Sequence, residues 1–306
     1  MVKMNSKILA DNIIEEVKEK LSNPKYKSIT KPHIVTIKVG DDPLSNILLE
    51  NKKKVCEELD IEFRVYEYKE DVTTDHLKKI ISKLSLLPTI TGISIQTPLP
   101  DHINLQELID DIDPIKDIEG VTNVQAGMLQ LGIQNKSKLV PYTAAAIYDI
   151  LYSTDLKFDT VTVIGSDNYT GKTLIRRLLE ENNINIISCP SSSSNIQKYT
   201  TESSVVILTS GKPESFSRRY FYGDGKKFII DAALNVNDDG KLCGSLDLKD
   251  LKELYNSRNF TYTPVPDGID LVLIAEFLNN ICTAYDNQFD FMWNYCGNLK
   301  ASSNNI

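Results

Sequence analysis

The sequence predicts an α/β protein of two domains, the second of them a doubly wound parallel sheet. The first half alternates helical periodicity with β-branched runs in the order αβαβαβ. The second half carries four short apolar strands separated by helices or loops. Within it, "TVTVIGSDNYTGKTLIRRLLEENN" (Thr160 to Asn183) reads as strand, glycine turn, helix.

In chain order, Ile8, Leu9, Ile13, Ile14, Val17 and Leu21 mark an amphipathic helix. Strands follow at His33 to Val39 and near Ile61 to Tyr68, with a lysine-rich helix between them. "TTDHLKKIISKLSLL" is a helix opened by threonine and aspartate caps, and "ITGISIQ" is an apolar strand running into "TPLP". After a polar segment containing "DIDPIKDIEG", the proline turn of "VPYTAAAIYDIL" starts a helix and marks the domain boundary. Strands are then expected at Thr160 to Ile164, Ile184 to Ser188, Val205 to Leu208 and Phe228 to Asp231. "TPVPDGIDLVLIAEFLNNICTAY" gives a proline turn and a helix of about four turns. "CGNLKASSNNI" reads as a polar tail.

The chain has 306 residues, 41% hydrophobic and 25% charged, enough for a sizeable core. No apolar run approaches the roughly 18 residues of a membrane span, and the opening is too acidic for a transit peptide, so a cytoplasmic enzyme is expected. A net charge of -8 argues against a nucleic-acid surface, although Lys52, Lys53 and Lys54 cluster locally. The five cysteines show no CxxC pairing and the three histidines no ligand spacing, so neither a disulfide framework nor a metal site is expected.

The glycine loop matches neither common phosphate-binding spelling. Five residues separate Gly165 from Gly171, where a P-loop has four, and Asp167 and Thr170 stand where a dinucleotide fingerprint has glycines. A P-loop hydrolase therefore rests on Gly171-Lys172-Thr173 alone.

Four further segments share one pattern: "VGDDPLSNILLENKKK" (Val39 to Lys54), "GISIQTPLPDHI" (Gly92 to Ile103), "IKDIEG" (Ile115 to Gly120) and "TPVPDG" (Thr263 to Gly268). In this order, with the glycine loop between the third and fourth, the chain resembles the methylenetetrahydrofolate dehydrogenase/cyclohydrolase family from about Lys7 to Tyr285. The resemblance implies two α/β domains around a cleft, the C-terminal one Rossmann-like. Residues 1–140 with a returning helix 270–286 would be the folate-binding catalytic domain, 141–269 the dinucleotide-binding domain and 287–306 a tail.

The implied activity is oxidation of methylenetetrahydrofolate with NADP or NAD, joined to hydrolysis of the methenyl product, in a homodimer. Lys52 would polarise the folate and shuttle protons, its pKa lowered by burial and by Lys53 or Lys54; Gln96 would hydrogen-bond near it. Glu119 takes the place of an aspartate that holds the pterin ring. Leu48 stands four residues before Lys52, where the family has a tyrosine, which predicts an impaired cyclohydrolase step. Pro98, Leu99, Pro266 and Asp267 complete the implied folate contacts.

The implied dinucleotide contacts are Thr143, Gly165, Ser166, Asp167, Gly171, Ser191 and Asn235. Ser166 replaces an arginine that meets the 2′-phosphate in NADP-using members. Asp167 either opposes a bound phosphate or caps the helix. The next strand end, "SCPSSSS", has neither an acid for NAD nor an arginine for NADP. Asp267, Asp270 and Leu271 replace two glycines and a proline in a ligand loop. These departures also leave open a binding protein of the same fold without turnover.

Overall fold

The computed structural model describes residues 1–26, 30–133, 138–181, 183–221, 226–254 and 260–303, with the backbone alone at 26, 253–254 and 291–303. In chain order the elements are β1 (Val2–Lys3), α1 (Lys7–Leu21), β2 (His33–Val39), α2 (Pro43–Glu58), β3 (Glu62–Tyr68), α3 (Thr74–Leu86), β4 (Gly92–Ile95), α4 (Leu105–Asp110), α5 (Asn123–Gln130) and α6 (Tyr142–Tyr152). They continue with β5 (Thr160–Ile164), α7 (Tyr169–Leu178), β6 (Asn185–Cys189), α8 (Ile196–Glu202), β7 (Val205–Leu208), β8 (Lys227–Asp231), β9 (Asn235–Val236), β10 (Leu242–Cys243), α9 (Leu248–Leu254), β11 (Phe260–Tyr262) and α10 (Ile269–Ser303).

The chain divides into two compact units: Met1–Ile14 with Pro141–Glu276, and Glu15–Val140 with Phe277–Ile306. The first is built on a six-stranded sheet in the order β1-β11-β8-β7-β5-β6, every neighbouring pair parallel. Its inner strands are apolar runs buried on both faces, as helical crossovers require: Val161, Val163, Val205, Ile207, Phe228 and Ile230 share one core with α6, α7 and the start of α10. From β5 the chain crosses to β6 on one side and then to β7 on the other. The carboxyl end of β5 is therefore the sheet's topological switch point, where ligands bind in such folds.

The second unit holds a three-stranded parallel sheet, β3-β2-β4, with β2 central. Val35, Ile37, Ile93 and Ile95 pack against Leu77 and Ile81 of α3 and Leu108 of α4. Thr73 caps α3 through the His76 N–H, a local reason for the helix to begin there.

The ends of the chain depart from expectation. Residues 1–14 belong with the dinucleotide-type sheet, because β1 pairs with β11 and Met4 N donates to Tyr262 O at 2.9 Å. Strand β11 and the β9–β10 hairpin were not foreseen. The closing helix is no four-turn element: α10 runs 35 residues, and only its portion from Phe277 belongs to the second unit. The expected tail at 287–306 is helical through Ser303. Lys25 binds Asp286 at 2.6 Å, and Gln288 Nε2 donates to Thr91 O at 2.6 Å, so the helix is tied down where a free tail was expected.

Candidate active site

In the second unit, Asp42 caps α2 by accepting the Ser45 N–H at 2.8 Å, with Pro43 in the first turn. Ser45, Leu49, Lys52 and Cys56 then recur at helical spacing on the buried face. Lys52 is thereby turned inward, its side chain only 7% exposed, while Lys53 and Lys54 face solvent. The cluster of three lysines is thus one buried ammonium beside two solvated ones.

The charge paired with Lys52 is a carboxylate. Lys52 Nζ lies 3.6 Å from Glu119 Oε1, and Glu119 is itself only 17% exposed. Burial raises the Glu119 pKa above the usual carboxylate range; Lys52 pulls it back and Asp117 adds to the rise. Lys52 Nζ also sits 4.5 Å from the centre of the Phe277 ring, a cation–π contact that sequence patterning did not single out. One turn beyond Lys52, burial pushes the Cys56 thiol up to about 12, which leaves it inert near neutral pH.

Glu119 is presented by a braced loop. Asp113 accepts the Ile115 N–H, the Lys116 ammonium donates to Ser85 O and Leu87 O, and Asp117 accepts the Thr122 N–H at 2.7 Å. From α10, Asn280 Nδ2 donates to Ile118 O at 3.0 Å and Val140 O at 2.7 Å. Phe277 and Asn280, one helical turn apart, thus serve the ammonium and the carboxylate loop respectively.

Gln96 follows β4 and is buried. Its Nε2 donates to Thr97 O at 3.1 Å, the same carbonyl that accepts Ser45 Oγ at 2.9 Å. These two bonds seat the turn after β4 on the first turn of α2. Pro98 follows a cis peptide and is exposed; Leu99 packs partly against the sheet core. Leu48 is half-buried one turn before Lys52.

In the first unit, the glycine loop leaves the end of β5. Gly165 has φ +89°, and a Cβ at Gly171 would overlap the Gly165 carbonyl oxygen and stand 2.8 Å from Ser166 Cα. The helix start is therefore pressed onto the strand end, which brings the positive end of α7 to the switch point. Such a cradle fits a dinucleotide pyrophosphate. Lys172 points to solvent in the next position.

The cap of α7 is Asn168, whose Oδ1 accepts the Gly171 N–H at 2.8 Å. Asp167 does not cap. Its Oδ1 accepts the Ser191 N–H at 2.7 Å and Ser191 Oγ at 2.8 Å, and Ser191 Oγ lies 3.1 Å from Ser210 Oγ. Residues following β5, β6 and β7 therefore meet around Ser191. Ser166 is buried, its N–H given to Cys189 O.

The other expected contacts are more dispersed. Thr143 is half-buried in the first turn of α6, and Asn235 is half-buried on β9, its Nδ2 donating to Ala233 O. Pro266 and Asp267 are exposed in the first unit and not in the unit holding Lys52. Asp267 adopts φ +69° and Asp270 accepts the Gly268 N–H at 2.9 Å, so the carboxylate that displaced a glycine now caps α10.

The comparisons with known proteins cover both units. The catalytic domain of tetrahydrofolate dehydrogenase/cyclohydrolase matches residues 4–119, and the NAD(P)-binding domain of the same enzyme matches 141–289. The bifunctional protein FolD of Agathobacter rectalis is 32% identical over 283 residues, 92% of this chain and 98% of that protein. The FolD of Rickettsia canadensis is 30% identical over 288 residues, 94% and 97% of the two chains. The crystal structure of the bifunctional FolD methylenetetrahydrofolate dehydrogenase/cyclohydrolase from Campylobacter jejuni matches with a TM-score of 0.81 at 28% identity, over 92% of this chain and 98% of that one. A methylenetetrahydrofolate dehydrogenase from the silkworm Bombyx mori has the same fold, with a TM-score of 0.82 at 24% identity over 94% and 99%. With both halves matched, in order and over nearly the whole length, this chain belongs to the tetrahydrofolate dehydrogenase/cyclohydrolase family.

Proposed function

We propose that the chain oxidises methylenetetrahydrofolate and hydrolyses the methenyl product, with Lys52, Glu119 and Gln96 serving the folate and residues 165–171 the dinucleotide. The observation that carries this reading is the buried Lys52–Glu119 pair, in the part of the chain that matches the family's catalytic domain. A bound nicotinamide dinucleotide supplies the hydride acceptor. In hydrolysis, water adds to the cationic methenyl carbon and one carbon–nitrogen bond opens; one of the water's protons moves to the released nitrogen and the other leaves to solvent. Lys52 and Glu119 exchange a proton between themselves and so carry it, because a raised carboxyl pKa beside an ammonium brings their affinities together. Gln96, fixed by Thr97 O, is proposed to serve the same folate site.

Thr143, Ser166, Asp167, Ser191 and Asn235 are proposed to line the dinucleotide path, and Leu48, Pro98, Leu99, Pro266 and Asp267 the folate path. We further propose a homodimer acting in the cytoplasm, on the family resemblance; no helix among the described residues is long and apolar enough to cross a membrane. Light scattering at twice the chain mass supports the dimer.

The test of function is a purified-protein assay with methylenetetrahydrofolate and either NAD or NADP, following reduced nicotinamide and methenyl product separately. Absence of reduced nicotinamide with both cofactors overturns the dehydrogenase. Tight magnesium-dependent ATP binding without response to either dinucleotide overturns the assignment of the loop.

A further inference from the structure

We infer that Asp167 selects between the two nicotinamide dinucleotides, favouring the one whose adenosine ribose carries a free 2′-hydroxyl. The inference rests on the proposed dinucleotide site and goes beyond it to the form of the ligand. In doubly wound sheets the ribose is read at the carboxyl end of the strand that follows the glycine loop, by a carboxylate where the hydroxyl is free and by a cation where it is phosphorylated. Here that strand, β6, ends in Cys189-Pro190-Ser191 and offers neither.

The carboxylate arrives from the neighbouring loop. Asp167 Oδ1 accepts both the Ser191 N–H at 2.7 Å and Ser191 Oγ at 2.8 Å, which pins the group to the tip of β6. Its Oδ2 receives no hydrogen bond from another residue among the described residues, and the side chain is exposed. A ligand hydroxyl can therefore donate to it. The two bonds from Ser191 and the nearby Lys172 hold the Asp167 carboxyl below its ordinary pKa, so it is ionised throughout the physiological range. A ribose hydroxyl gains a charge-assisted hydrogen bond at that position, and a phosphate meets like charge. The position after Gly165, where an arginine would offset this, holds the buried Ser166.

The experiment is calorimetric titration of the full chain with NAD⁺ and with NADP⁺, repeated for Asp167→Asn and Asp167→Ser. Asn keeps an acceptor at the same reach for Ser191 and removes the charge; Ser removes the charge and draws its one acceptor oxygen back toward the backbone. The expected result is at least about tenfold tighter binding of NAD⁺ by the wild type, falling to within about threefold in both variants through gained NADP⁺ affinity. Equal binding of both cofactors by the wild type, or a ratio unchanged in the variants, overturns the role of Asp167. Binding of neither cofactor overturns the dinucleotide site itself, and this inference with it.

Discussion

Lys52 and Glu119 form an ion pair at 3.6 Å in which both partners are largely shielded from water. Such a pair is a poor stabilising device, since desolvation offsets much of its Coulomb energy. On the proposed function its value is chemical: two proton-binding groups of opposite charge are held together by α2 and by a loop anchored through Asn280.

Lys52→Met is expected to cut ring-opening by about 10² to 10⁴, the usual worth of general acid-base help. Its stability effect should depend on pH. With Lys52 gone, nothing opposes the burial that raises the Glu119 pKa. A carboxyl whose folded pKa exceeds its unfolded value stabilises the fold below the unfolded value and loses that contribution as pH rises through the folded one. The variant should therefore fall further below wild type in urea denaturation at pH 8 than at pH 5. An equal deficit at both values would mean that Glu119 does not answer to Lys52.

Asp231 carries the same logic in the other unit. It is buried at the end of β8 and accepts the Ala233, Ser245 and Leu246 N–H groups and Ser245 Oγ. Burial still outweighs these donors and pushes its pKa up to about 6 from 3.8. The stabilising contribution is complete below 3.8 and lost as pH rises through about 6, on the order of 3 kcal/mol at ~1.4 kcal/mol per unit. Asp231→Asn should flatten that part of the stability–pH curve while lowering stability overall, because an amide cannot accept all four bonds. An unchanged slope in chemical denaturation between pH 4 and 7 would refute the assignment.

Gly171→Ala should damage dinucleotide binding directly. The added methyl meets the Gly165 carbonyl, which belongs to the strand end and cannot yield as a flexible side chain can. Overpacking of this kind costs about 1–3 kcal/mol, equivalent to a loss in affinity of roughly 5- to 150-fold if it appears in the bound state. Titration with the preferred dinucleotide reads the affinity, and thermal denaturation reads the remainder.

Strands were legible where β-branched runs were long enough to be buried on both faces, as at His33–Val39 and Thr160–Ile164. The strand Phe260–Tyr262 was not, because three residues before Pro264 and Pro266 read locally as a turn, and pairing with β8 and β1 makes them a strand. Lys52 was legible from the register of its motif, and its inward direction also follows from Ser45, Leu49 and Cys56 at helical spacing. Phe277 and Asn280 could not be found in the same way, since their partners are more than 130 residues distant in sequence and no local pattern marks such contacts. At the glycine loop, both Asp167 and Asn168 have side chains suited to an N-cap. Only the direction of the chain after β5 decides between them, and it turns Asp167 toward Ser191.

Leu48 lies one helical turn before Lys52 on α2, is half-buried, and has a side chain that offers no hydrogen bond. A tyrosine there would add a hydroxyl able to align Lys52 or the attacking water. Hydride transfer needs orientation of two ligands more than proton traffic, so it should depend less on that hydroxyl. Leu48→Tyr is expected to raise cyclohydrolase turnover by roughly tenfold or more, part of the 10² to 10⁴ that acid-base help can supply, with dehydrogenase turnover changed by less than about threefold. Separate progress curves for methenyl consumption and nicotinamide reduction measure the two. If neither rate moves in a variant that still binds folate, position 48 does not limit the chemistry. The loop Pro266–Leu273, where Asp267 holds a left-handed backbone and Asp270 caps α10, then becomes the constraint to relieve.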